Sequence, residues 1–262
     1  MISFTSSQLS AWLAAFIFPL ARILALITSA PIFGNKQVPA RLKVGLAFMI
    51  TIIIAPTLNI PTDIDPASAQ GLFILMQQIV AGLVIGFSMQ LIFTAVEMAG
   101  DLAGMQMGLG FASFYDPQHA TFTPIVAQFL GFLATLIFLA ADGHLYMLAA
   151  VSDSFRDFPI GASVPSANAF RTVAEWGGAM FSHALQFALP LIGALLIANL
   201  ALGILTRSAP QLNIFAVGFP ITIAVGFATL MLTIPYLGPL VESFTHAGLD
   251  TVSRVMLQLG GH

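Results

Sequence analysis

Asn199–Pro220, NLALGILTRSAPQLNIFAVGFP, reads as two apolar helices joined by a tight polar turn at Thr206–Asn213. The same grammar extends in both directions. Phe181–Leu205 and Phe215–Leu237 are the arms of this hairpin, and Ala11–Ile32, Val44–Ile60, Leu72–Val96 and Ile125–Ala141 are further apolar stretches. A spanning helix needs roughly 20 residues, because about 1.5 Å of rise per residue must cross about 30 Å of hydrocarbon. All six are long enough to be considered, with the second and fourth near the short limit. Across the 262 residues, 58% are apolar and 7% charged, which leaves too little polar surface to cover a water-soluble globule. The expected class is therefore all-α: a multi-helix hydrophobic membrane protein with kinked helices and a C-terminal helical hairpin. Pro19, Pro190 and Pro220 lie inside or near the ends of these stretches. Each proline removes a backbone donor, which apolar surroundings tolerate where neighbouring helices re-satisfy the freed carbonyls. The helices are expected to face other helices.

Several chemistries are set aside by composition. There is no cysteine, so neither a disulfide framework nor a thiolate metal site is possible. Net charge is −3 and the eight basic residues are dispersed, which gives no phosphate-tracking patch for nucleic acid. His119, His144, His183, His246 and His262 have no second ligand at metal-binding spacing and read as surface or capping residues. Gly104 to Gly110 is no nucleotide loop, since no lysine follows and no strand precedes it, and no serine sits in a nucleophile elbow. The expectation is a non-enzyme without cofactors. The first apolar stretch has no basic region before it and runs past signal length, so no cleavable signal is expected.

Lys36, Arg41 and Lys43 cluster after the first stretch, which the positive-inside tendency places in the cytoplasm. Alternation then puts Pro61–Gln70 outside and Thr206–Asn213, with Arg207, inside. Glu97–Pro124 breaks the pattern, holding Glu97, Asp101 and Asp116 with no Lys or Arg. Gly100, Gly104 and Gly108 recur every fourth residue, followed by Gly110, so one helical face is bare and another backbone can approach. Met105, Met107, Phe111, Phe114 and Tyr115 come next, then the Asp116-Pro117 turn. Two readings stand: a re-entrant connector packed on its own bundle, or a flexible apolar plug across a pore, about residues 105–124.

Residues 142–178 form the most polar interior stretch, with Asp153, Arg156, Asp157 and Arg171 around turns at Pro159 and Pro165. It reads as a surface linker closing an N-terminal region, 1–178, before a C-terminal region, 179–262. In the latter, Val241, Phe244, Gly248, Val252, Val255 and Leu259 share helical spacing and form a terminal amphipathic helix. Arg22 stands alone in the first apolar stretch, where an unpaired guanidinium costs at least about 2.5–3.5 kcal/mol. It must find a carboxylate, carbonyls or water. Glu97 and Asp101, four residues apart on one face, could pair with it, form a proton relay, or line a lumen.

Three passages resemble one family. They are Thr206-Arg207-Ser208-Ala209-Pro210-Gln211-Leu212-Asn213, Ser29–Gly34 followed by Val38-Pro39 and Arg41, and Met107–Pro117, MGLGFASFYDP. All are similar to the flagellar biosynthetic protein FliR family and its virulence-secretion counterparts, and the likeness covers essentially the whole chain. The resemblance implies a component of the type III export gate at the flagellar base in the bacterial inner membrane. There it would pack with FliP-like and FliQ-like subunits as part of a helical hetero-oligomer, near FlhB-like and FlhA-like export components, around a path for unfolded protein substrates. It further implies that the loop plugs the lumen, with Phe111 and Phe114 as gate residues beside Met105 and Met107, and Gly108 and Gly110 as hinges. The turn bearing Arg207, Pro210, Gln211 and Asn213 would face another component. Much of such a gate rises above the bilayer, so the apolar helices need not all cross lipid. Tyr115 departs from the smaller or apolar residues usual before the Asp-Pro. The competing reading is a proton-coupled small-solute transporter using Glu97, Asp101 and Arg22.

Overall fold

The computed structural model describes residues 6–58, 60, 64–110, 124–161, 166–209 and 214–261. Its elements are α1 (Ser6–Ser29), α2 (Ala40–Ile54, continued by a 3₁₀ turn at Ala55–Thr57), α3 (Ala69–Gln106), α4 (Ile125–Ala140), α5 (Gly143–Asp157), α6 (Ala167–Ser208) and α7 (Ile214–Gly260). No strand occurs among the described residues, and the protein is all-α. Local chemistry sets the ends. Ser68 caps α3 by accepting the Gly71 N–H at 3.0 Å, and Ala67 N–H closes an Asx turn on Asp65. Asp142, with a φ of 55°, separates α4 from α5.

Among the described residues, five helices, α1, α2, α3, α6 and α7, are long and apolar enough to cross a membrane, and six spans result if the bent pair α4 and α5 counts as one. The six apolar stretches of the sequence thus map onto helices, with altered limits. Leu72–Val96 is part of a 38-residue helix, so Gly100 and Gly104 lie inside α3 and not in a connector. The amphipathic segment 241–259 is no separate helix but the end of the 47-residue α7, which continues through Pro220, Pro235 and Pro239. The polar stretch 142–178 is largely helical, because Met147, Val151 and Phe155 give α5 a buried apolar face. At about 1.5 Å per residue, α3, α6 and α7 measure roughly 57, 63 and 70 Å, about twice the hydrocarbon thickness.

The chain forms two compact units that interleave along the sequence: residues 1–91, 142–177 and 245–262, and residues 92–141 and 178–244. A division in chain order at 178 therefore falls within α6. In the first unit, Phe18, Ile23 and Leu26 of α1 are buried, as are Ile85 and Met89 of α3, Met147 and Val151 of α5, and Val252 and Met256 of α7. In the second, Leu130, Ala134 and Phe138 of α4 are buried, as are Ala188, Leu191 and Leu195 of α6 and Leu230 and Leu237 of α7. Phe93 meets Phe138 edge-to-face at 5.3 Å there. Burial separates the helices by role: 61% of the apolar window of α3 is buried, against 11% for α2 and 22% for α6 and α7.

Candidate functional site

The Gly-Met segment singled out by the sequence begins at the end of α3, in the second unit. Gly100 allows α4 to cross closely: a methyl group at position 100 would lie 2.6 Å from Ala127 Cα, and one at Gly104 would touch Val126 at 3.6 Å. The four-residue glycine spacing is thus a packing face. α3 then stops, as Met107 N–H donates to Ala103 O at 2.9 Å and Gly108 turns left-handed with φ +81°. A glycine takes that conformation without a side-chain clash, which is why it ends the helix. Met105 points outward and is half exposed, whereas Met107 is fully buried.

Met107 is held by α7. Its Sδ and Cε lie 2.7 and 2.8 Å from where a methyl group at Gly226 would sit. Its carbonyl accepts a hydrogen bond from Thr222 Oγ1 at 3.3 Å. The Phe219 ring covers Gly108, with Cε1 2.7 Å from a methyl group built there. Nothing in the sequence reading pointed to Phe219, Thr222 and Gly226, although their spacing of three and four puts them on one face of α7. Gly110 ends the described part of this segment. Phe111 and Phe114, with Tyr115, Asp116 and Pro117, lie outside the described residues, as do Pro210, Gln211 and Asn213 of the polar turn. Arg207 is exposed in the last turn of α6, where a cation favours the helix dipole.

Arg22 occupies the centre of the first unit and is fully buried. Its Nε and Nη2 donate to Gln78 Oε1 of α3, its Nη1 to Ser154 O and Oγ at 2.7 and 3.0 Å, and its Nη2 to Phe158 O at 2.8 Å. A guanidinium has five N–H donors, and these are five bonds. Phe155 stacks on it, 4.1 Å from Cζ to ring centroid. Ser154 and Phe158 mark the C-terminal end of α5, so the cation meets the negative end of a helix dipole. The partners are carbonyls, an amide and a hydroxyl. Glu97 and Asp101 are not among them, and no guanidinium donor is left over for either. Glu97 instead extends beside Gly131 of α4 in the second unit, where a methyl group would meet its Oε1 at 2.8 Å. Ion pairs among the described residues join Arg156 to Asp153 and Arg171 to Glu175, all on the surface.

No group of three or more His, Asp or Glu side chains that could hold a metal occurs among the described residues. His183 packs on Phe244 at 4.0 Å, and His246 lies 6.0 Å from Tyr146. What dominates the surface is apolar: Ile197, Leu200 and Ile204 of α6 and Met231, Leu232 and Tyr236 of α7 are all at least 68% exposed. A patch of this kind marks contact with lipid or with other proteins.

Comparison with known proteins accords with this architecture. Residues 13–247 match the model for bacterial export proteins, family 1. The chain is 45% identical over 260 residues to the flagellar biosynthetic protein FliR of Pectobacterium carotovorum subsp. carotovorum, covering 99% of each chain. It is 44% identical to FliR of Escherichia coli (strain K12), again over 99% of both. Similarity to FliR of Bacillus subtilis (strain 168) is 29% over 94% of this chain and 96% of the relative. With its all-α, membrane-compatible helices and a match along nearly its whole length, the chain belongs to the FliR family of bacterial export proteins.

Proposed function

We propose that this chain is a component of the flagellar type III protein-export gate, forming part of the membrane conduit for unfolded substrates and carrying its plug. The observation that supports this most is the 45% identity to a flagellar biosynthetic protein over 99% of the chain. It sits in the inner membrane at the flagellar base with FliP-like and FliQ-like subunits, near FlhB-like and FlhA-like components. The exposed apolar faces of α2, α6 and α7 are what such neighbours and lipid would cover. The chain is a passive, non-catalytic part of the conduit, and the energy for transport comes from other components.

The plug begins where α3 ends. Phe111 and Phe114 are its bulky members, placed to exclude water and ions from the resting lumen. Gly108 and Gly110 set the path of the backbone toward them, and the turn bearing Arg207, Pro210, Gln211 and Asn213 is presented to another export component. Replacing Phe111 and Phe114 together by glycine in the assembled, reconstituted gate is expected to raise its resting conductance to small ions. An unchanged conductance removes the plug assignment.

A further inference from the structure

We infer that Phe219, Thr222 and Gly226 of α7 are positioning residues for the plug, forming a latch that grips its stem at Met107 and Gly108. This rests on the plug reading above, but its evidence comes from described residues on either side of the contact. Three separate interactions converge on two consecutive stem residues. Met107 is fully buried with its thioether against the bare backbone of Gly226. The single Thr222 Oγ1 proton is shared between the Met107 carbonyl at 3.3 Å and Phe219 O, one turn back in α7, at 3.1 Å. Phe219 closes over Gly108, the residue whose left-handed turn sets the direction in which the chain leaves α3.

Each interaction depends on residue type. A carbonyl at a helix end lacks an intrahelical partner, so the Thr222 hydroxyl satisfies a group that apolar surroundings would otherwise penalise. Gly226 is close-packed by a methionine, a side chain that fills irregular gaps, and any larger residue would push it out. Glycine at 108 is required twice, by its positive φ and by the ring above it. Helical spacing of 219, 222 and 226 makes the latch one rigid face, so loosening it redirects the stem without altering the plug residues themselves.

The test uses the complete gate, purified with its partner subunits and reconstituted in vesicles, with resting ion leak as the readout. Gly226→Ala is expected to raise the leak about tenfold, the population shift that one methyl group too many in a packed contact supports. Combining it with Met107→Ala, which shortens the side chain that collides, is expected to bring the leak back toward wild type, the coupling of residues in direct contact. Thr222→Val, nearly the same shape without the hydroxyl, is expected to raise the leak by about threefold, and it decides the matter if Gly226→Ala fails to assemble. Wild-type leak in the assembled variants, while the Phe111→Gly, Phe114→Gly gate leaks, overturns the latch and leaves the plug standing. Leak in Gly226→Ala that Met107→Ala does not relieve also overturns it. Tight gates in every variant, including the double phenylalanine one, overturn latch and plug together.

Discussion

A single guanidinium organises the first unit, and the physics of its burial sets what replacing it will do. Arg22 engages α3 through Gln78 and α5 through Ser154 and Phe158, so its removal takes donors from the Gln78 amide oxygen and the Phe158 carbonyl and leaves a cavity, while Ser154 O keeps the Phe158 N–H at 2.9 Å. Arg22→Ala is expected to lower the stability of the solubilised protein, by about 1–3 kcal/mol for each buried acceptor left without a donor and by a further cavity contribution. Arg22→Lys recovers only part, because an ammonium presents three donors from one atom and cannot span Gln78 and Phe158 together. Thermal unfolding in detergent checks both, and a melting temperature unchanged by Arg22→Ala contradicts the assignment. That an arginine at this depth needs partners was legible in the sequence. Its actual partners were not, because Ser154 and Phe158 lie more than 130 positions away and two of their accepting atoms are backbone oxygens, which every residue carries.

At the scale of helices, close approach is set by glycine, and the sequence displayed this unevenly. Gly100 and Gly104 drew notice because charges and aromatic residues surround them. Gly82 and Gly86 have the same spacing inside an unbroken apolar run, where nothing else marks them. They are the α1–α3 crossing: methyl groups there would meet Ala25 Cβ at 2.8 Å and Ser29 Cβ at 2.9 Å. Valine at either position is expected to destabilise the protein by at least about 1–3 kcal/mol through overpacking. By contrast, Gly45→Ala in α2, where an added methyl group would meet nothing within 4 Å among the described residues beyond its own helical turn, should be neutral or gain up to about 1 kcal/mol in helix propensity. Melting curves of the three variants decide this, and equal behaviour at positions 45 and 82 would falsify the crossing. Helix limits were the least legible feature. Glycine, proline and scattered charges read as breaks in α3 and α7, yet both helices run through them, because a single residue of low helix propensity lowers helix stability without ending the helix.

For the molecule as a whole, the unfinished surface is the decisive property. Residues such as Met231, 77% exposed, and Ile197, 70% exposed, lie on helices far longer than a bilayer is thick. Native mass spectrometry of the gently extracted protein is expected to show a heteromeric complex, and a monodisperse, fully active monomer would exclude the gate reading. The interleaving of the two units has a further consequence, for biosynthesis. Residues 245–262 complete the unit begun by residues 1–91: Val252, Val255 and Met256 are buried in it, and Thr172 donates to Gln258 at 2.9 Å. A ribosome adding about 5–20 residues per second needs roughly ten to thirty seconds to travel from the end of the first segment to the end of the segment 245–262. Throughout that interval the helices of residues 1–91 stand in the nascent chain without the neighbour that residues 245–261 supply, so they need shelter until that segment has been made.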